Sequence, residues 1–174
     1  MILKGSNTEE NLKKALQGEA LAHLKYQFYR SQMDKYSKHL ADVIDEISHN
    51  EKEHGKIWFK LLNEGQVPDN EENLLDAIKG ETEEYKHMYP EFARIAREEG
   101  FEDIAELFEM VADIEEDHSL KFDEMLKCIQ NEDMFKEDGA TFWICKNCGF
   151  YYLGEEAPEK CPVCSHPQKY FVRD

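Results

Sequence analysis

Four long segments of this chain carry apolar residues at helical spacing, and each interrupts its own apolar stripe with a glutamate. The first stripe runs through Leu12, Leu16, Tyr26 and Met33 and is broken at Glu19; the second runs Leu40, Val43, Ile44, Ile47, Trp58, Leu61 and Leu62 and is broken at Glu51. The third passes Leu74, Ile78, Met88, Phe92 and Ile95 with Glu81 among them. The fourth passes Ile104, Leu107, Phe108, Val111, Ile114, Phe122, Met125 and Ile129 around Glu115. A 3.6-residue period predicts helices, and four of them with short connections predict a four-helix bundle. An ionised carboxylate in a bundle core is too costly to leave unpaired, and four at one level repel one another. A fold that buries them must bring a cation among them, and a pair of metal ions fits best.

Local signals bound the helices. Ser6-x-x-Glu9 resembles a capping box at the start of the first, and the second ends near Asn63-Glu64-Gly65. Pro90 is expected to kink the third, which Gly100 ends. The polar stretch Asn131 to Gly139 reads as a linker, so the expected domains are 1–135, a four-helix bundle, and 136–174, a small metal-held tail.

Histidine follows two of the stripe glutamates by three residues, in Glu51-x-x-His54 and Glu115-x-x-His118, so each pair projects from one helical face. Glu46-x-x-His49 has the same spacing but lies off its stripe and is expected to be solvated. In Glu84-x-x-His87 only Glu84 lies on the stripe, one turn beyond Glu81. The sites repeat, with 32 residues from Glu19 to Glu51 and 34 from Glu81 to Glu115. Each half supplies Glu, then Glu-x-x-His, which is the ligand grammar of di-iron and di-manganese carboxylate bundles. Oxygen donors with imidazole suit iron or manganese.

Four of the five cysteines fall in the last thirty residues, as Cys145-x-x-Cys148 and Cys161-x-x-Cys164, two knuckles that can close a tetrahedral four-sulfur site. Spacing alone leaves iron and zinc open. Fusion to a di-metal bundle favours iron, because an electron donor needs a redox metal, with zinc the alternative occupant in a recombinant sample. Trp143, Phe150, Tyr151, Tyr152, Tyr170 and Phe171 are expected to form a small core around the site, and Cys128 to be an apolar filler. The formal charge of −17 disfavours nucleic acid and anionic membranes. No window approaches a membrane span or a signal peptide, so a reducing cytoplasm is expected, where paired knuckles read as metal ligands.

Taken together, these residues resemble the rubrerythrins over nearly the whole chain. The resemblance rests on Gln17-Gly18-Glu19-Ala20, Glu51-Lys52-Glu53-His54, Gly80-Glu81-x-x-Glu84 followed by Met88-Tyr89-Pro90, Ala96-Arg97-Glu98-Glu99-Gly100-Phe101, Glu115-x-x-His118 and the rubredoxin-like knuckles. It implies a peroxidase that reduces hydrogen peroxide to water at two bundle irons, re-reduced through the iron of the four-cysteine site. By the resemblance Glu51 and Glu115 bridge the irons, Glu19 and His54 serve the first, and Glu81 and His118 the second. Glu84 is then the extra carboxylate that binds the first iron in the oxidised state and gives way to His54 in the reduced one. Tyr26 and Tyr89 match tyrosines that hydrogen-bond near the site. Electrons would come from NAD(P)H through a separate rubredoxin or reductase, since the chain has no Gly-x-Gly-x-x-Gly of its own. Phe150 stands where many members carry Tyr after Cys-Gly, a departure with little consequence. A ferritin-like iron store and a zinc-ribbon interaction protein are the rival readings.

One departure carries more weight. Ferritin-like bundles run their second and third helices parallel, so the connection between them must travel the bundle's length. Glu64 to Glu72 reaches only about 30 to 32 Å fully stretched, against about 30 Å to be covered, which leaves no slack. The expectation is a homodimer or higher homo-oligomer with a domain-swapped bundle, in which Glu19, Glu51 and His54 of one chain meet Glu81, Glu84, Glu115 and His118 of another.

Overall fold

The computed structural model describes residues 2–173. It is mainly helical and falls into two compact units, one ending at Asp69 and the other beginning at Asn70.

The first unit is an antiparallel helix pair, α1 (Asn7–Met33) and α2 (Lys38–Leu62). The Ser6 hydroxyl accepts from the Glu9 N–H at 3.1 Å, as the capping box requires, while the Glu9 carboxylate reaches back one residue further than expected, to the Gly5 N–H. Along α2 the fully buried residues are Ala41, Ser48 and Gly55, seven apart and all small, while α1 buries none completely. Small residues at two-turn intervals let the backbones approach closely. A Cβ built on Gly55 would already meet the Glu19 Cβ and the Leu16 side chain at 3.6 Å.

The second unit opens with α3 (Asn70–Glu83), a π-helical turn (Glu84–Met88), α4 (Tyr89–Glu98) and α5 (Glu102–Gln130). The third sequence stripe is thus divided, and its break lies ahead of Pro90. Pro90 has no N–H to continue the ladder, and the widened turn instead lets the Tyr89 N–H donate to the Glu84 carbonyl five residues back. Arg97 holds the Glu109 carboxylate through both terminal guanidinium nitrogens, tying α4 to α5.

Many stripe residues that sequence places in a core are well exposed here, including Leu40, Val43, Ile47 and Leu61 in the first unit and Ile104, Leu107, Ile114 and Met125 in the second. A helix pair covers only part of a stripe wide enough for a four-helix core.

After α5 the same unit ends in a three-stranded antiparallel sheet of order β2-β1-β3, made of β1 (Lys136–Cys145), β2 (Tyr151–Glu156) and β3 (Phe171–Arg173). Trp143, Cys145, Ala157, Cys161 and Phe171 form its core, with Phe150 and Tyr170 packed against them. Tyr151 and Tyr152 do not join this core as expected. Tyr151 pairs with Ile144 on the other face of the sheet, and Tyr152 lies half out over Gly154. Among the described residues no helix is long and apolar enough to cross a membrane.

Candidate metal centres

Each unit holds one cluster of carboxylates and imidazole. In the first, ligand atoms of Glu19, Glu51 and His54 all lie within 4.8 Å of one another. Nδ1 of His54 is 3.0 Å from Glu51 Oε2 and 3.9 Å from Glu19 Oε2. In the second, Glu81, Glu115 and His118 group within the same limit, with His118 Nδ1 2.7 Å from Glu115 Oε2 and 3.8 Å from Glu81 Oε2. The two clusters are near copies, as the sequence repeat predicts. All six residues are the ones singled out from the stripes.

In the second cluster the electrostatics of Glu81 suits a cation. Burial, and next the neighbouring Glu115 carboxylate, hold the Glu81 carboxyl above the usual range, an effect that a divalent ion between them would reverse. Burial and the carboxylates of Glu84, Glu115 and Glu81 likewise push the Tyr89 phenol upward, so it keeps its proton. Tyr89 packs its ring against Phe92 and Phe108. Glu84 is half-buried on the π turn, close enough to act on Glu81 and Tyr89 but outside the three-residue cluster. Tyr26 is half-buried with its ring 6.1 Å from that of Tyr29. Glu46, His49 and His87 are exposed, as their off-stripe positions require.

The cysteine site is equally well formed. Cys145, Cys148, Cys161 and Cys164 converge, with sulfur separations of 3.7 Å for Cys145 to Cys164 and 3.6 Å for Cys148 to Cys161. A tetrahedron with metal–sulfur bonds of about 2.3 Å has edges of about 3.8 Å, so the donor set fits a tetrahedral ion. The His166 N–H draws the Cys164 thiol down to about 6. The Phe150 N–H acts in the same sense on Cys148, but burial and the crowding of the other three sulfurs carry that thiol up to about 12. Bare, the cluster retains protons, and metal binding displaces them.

Three neighbours of the first cluster escaped the sequence reading. The Trp58 indole donates to Glu19 Oε1 at 3.5 Å, although Trp58 read only as a core residue. His23 and Ser48 meet one turn away, and neither belongs to a recognisable motif.

Paired Glu/Glu-x-x-His clusters on long helices, joined to a four-thiolate tail, define an all-α metalloprotein of the ferritin-like type with a rubredoxin-like domain. The rubrerythrin family model matches residues 10–126, and a model for the rubrerythrin rubredoxin-like domain matches 143–172. The chain belongs to the rubrerythrin family. It is 37% identical to rubrerythrin-1 of Clostridium acetobutylicum, covering 97% of this chain and 95% of that protein. It is 39% identical to the rubrerythrin of Nitratidesulfovibrio vulgaris over the same shares. A solved structure of nigerythrin in a partially reduced state is 27% identical, covers 97% of this chain and 87% of its own, and gives a TM-score of 0.38.

Proposed function

We propose that the chain is a non-haem di-iron peroxidase that reduces hydrogen peroxide to water, taking up two electrons and two protons per peroxide. The observation that carries this reading is the presence in one chain of two equivalent oxygen–imidazole clusters and a separate four-thiolate site. Glu19, Glu51 and His54 would hold one iron and Glu81, Glu115 and His118 the other, with Glu51 and Glu115 bridging. When bound, two adjacent irons supply electrons and a place for both peroxide oxygens. Glu84 stands within electrostatic reach as a further carboxylate. Tyr89, protonated and flanked by rings, can donate a hydrogen bond to an oxygen held there and helps keep bulk water out. Tyr26 would act similarly.

Iron in the Cys145, Cys148, Cys161 and Cys164 site would relay electrons one at a time from NAD(P)H through a separate rubredoxin or reductase. Four of the five cysteines gather as metal ligands rather than as disulfide pairs, an arrangement suited to a reducing cytoplasm as the working compartment.

The assembly we propose is a domain-swapped homodimer, and helix bounds sharpen the span argument. Eleven residue steps separate Glu51 from Leu62, and eleven more separate Asn70 from Glu81, or about 33 Å of helix. The eight Cα steps from Leu62 to Asn70 reach only about 26 to 29 Å fully extended. With α2 and α3 parallel at one ligand level, as a ferritin-like bundle has them, one chain falls short. A second copy supplies the complementary helix pair and covers the exposed stripes.

Glu51→Ala and Glu115→Ala are the test. Each removes a bridging ligand worth several kcal/mol, so peroxide turnover should fall by at least about a hundredfold while the visible absorption of the cysteine site persists. Near-normal turnover in both variants would sink the reading.

A further inference from the structure

Among the described residues only two polar side chains are buried, Ser48 and Ser119, and each lies beside one of the carboxylate–histidine clusters. Ser119 follows the ligand candidate His118, and its hydroxyl meets that of Thr82, the neighbour of Glu81, at 3.3 Å. Ser48 is the more elaborate case. Its hydroxyl donates to the His23 carbonyl at 3.1 Å, accepts from Gln27 Nε2 at 2.8 Å and lies 2.9 Å from His23 Nδ1. The Ser48 carbonyl is also 2.9 Å from His23 Nδ1. A carbonyl only accepts, so Nδ1 carries the hydrogen, and the buried hydroxyl is fully satisfied. Gln27 continues the chain to Asp45 at 3.1 Å, where Arg30 closes it with an ion pair at 3.3 Å.

We propose that this His23–Ser48 knot is a positioning device that sets the register of α1 against α2, and through it the reach of Glu19 toward Glu51 and His54. The inference rests on the metal-binding role assigned to that cluster. The seam between these helices is smooth: Ala41, Ser48 and Gly55 on α2 offer no large knob, and α1 drops no fully buried side chain into a hole. Such a seam resists separation better than sliding. One residue of slip is about 1.5 Å, enough to turn a carboxylate held near an imidazole into one beyond shared coordination. A buried polar contact is the device best attested for fixing register in helix pairs. His23 lies four residues past Glu19 on α1, and Ser48 three residues before Glu51 on α2. In an antiparallel pair both offsets point the same way along the seam, so the knot sits one turn from the cluster it would align. His23 and Ser48 are therefore positioning residues and touch no reacting atom.

The test uses the full-length chain in its native assembly, with cobalt(II) alone as probe. Bundle sites are counted apart from the cysteine site, whose cobalt–thiolate bands are distinct. Ser48→Ala and His23→Leu should keep helix content and the metal-free melting temperature close to those of the parent, yet weaken one of the two bundle positions for cobalt by about 10- to 100-fold. His23→Asn places an amide N–H where Nδ1–H was and should restore affinity to within about threefold of the parent. Parental affinity in both Ser48→Ala and His23→Leu would overturn the proposal. So would an equal loss in His23→Asn, or a loss at both positions in step with metal-free stability, since either would make the contact general packing. Should His23→Leu fail to fold, Ser48→Ala decides alone. If the parent binds no cobalt in the bundle, the metal-site reading itself fails and the positioning role with it.

Discussion

If the proposed swapped dimer forms, lengthening the α2–α3 connection should convert it into a closed monomer. The shortfall between about 33 Å of helix to be retraced and about 26 to 29 Å of extended chain is about 4 to 7 Å, before any path around the bundle is allowed for. Ten Gly/Ser residues inserted between Gln66 and Val67, both exposed, add a flexible segment of about 16 to 19 Å root-mean-square length. The added loop-closure cost is less than about 1 kcal/mol. Closing within one chain then works at an effective concentration in the millimolar range, against micromolar free partner, an advantage on the order of a thousandfold. Sedimentation velocity at about 1 to 10 µM, with metal content measured on the same fractions, reads the outcome. The parent should run as an oligomer and the lengthened chain as a monomer, both with two bundle metals per chain. A parent monomer already holding two bundle metals would refute the span reasoning, and so would a lengthened chain that remains the parent's dimer throughout that range.

Three other variants and labels test the remaining assignments. Cys161→Ser, which removes a buried sulfur of the tail site, should block re-reduction of the bundle by an external donor but spare a single turnover of chemically reduced protein; unchanged multiple turnover would assign the tail a structural role. Trp143→Ala removes a fully buried side chain whose indole donates to the Gly154 carbonyl at 3.0 Å, and should destabilise by about 3 to 5 kcal/mol, enough to expose the tail to protease while α5 stays resistant; an undigested tail would count against a core centred on that indole. Burial, then a hydrogen bond with Asp133, raises the Cys128 thiol, so in metal-loaded protein it should label slowly at pH 7.5 and faster well above pH 9; rapid labelling at neutral pH would contradict that environment.

The clustering of carboxylates and imidazoles was more legible in sequence than the packing around it. Glu19, Glu51, His54, Glu81, Glu115 and His118 stood out because a charged residue on an apolar stripe violates a strong rule, and the same rule dismissed Glu46, His49 and His87, which are exposed. The π turn at Glu84–Met88 was not legible, since Pro90 signals a broken ladder without saying whether the helix bends or widens. Ser48 sits in register between Ala41 and Gly55, where composition reads only small residues, and its bonding depends on a residue of another helix 25 positions away. Exposure of Leu40, Val43 or Ile104 was beyond reach for a different reason, because periodicity reports which face is apolar and not what covers it.

Charge, metal and assembly are coupled on the proposed reading. Each helix pair contributes two carboxylates and one imidazole, so a pair without metal holds like charges within 4.8 Å, and the raised Glu81 carboxyl records part of that strain. One divalent ion per pair balances two carboxylates, but bridging by Glu51 and Glu115 demands that each ion also meet a ligand from the other pair. Metal binding should therefore favour the assembled bundle over separate pairs, and by linkage the assembled bundle should bind metal more tightly. Chelation ought then to loosen the oligomer, whereas filling the cysteine site, whose four ligands come from one short segment, should leave the oligomer unchanged. A dimer that dissociates on loss of the tail metal and resists stripping of the bundle would reverse this assignment of roles.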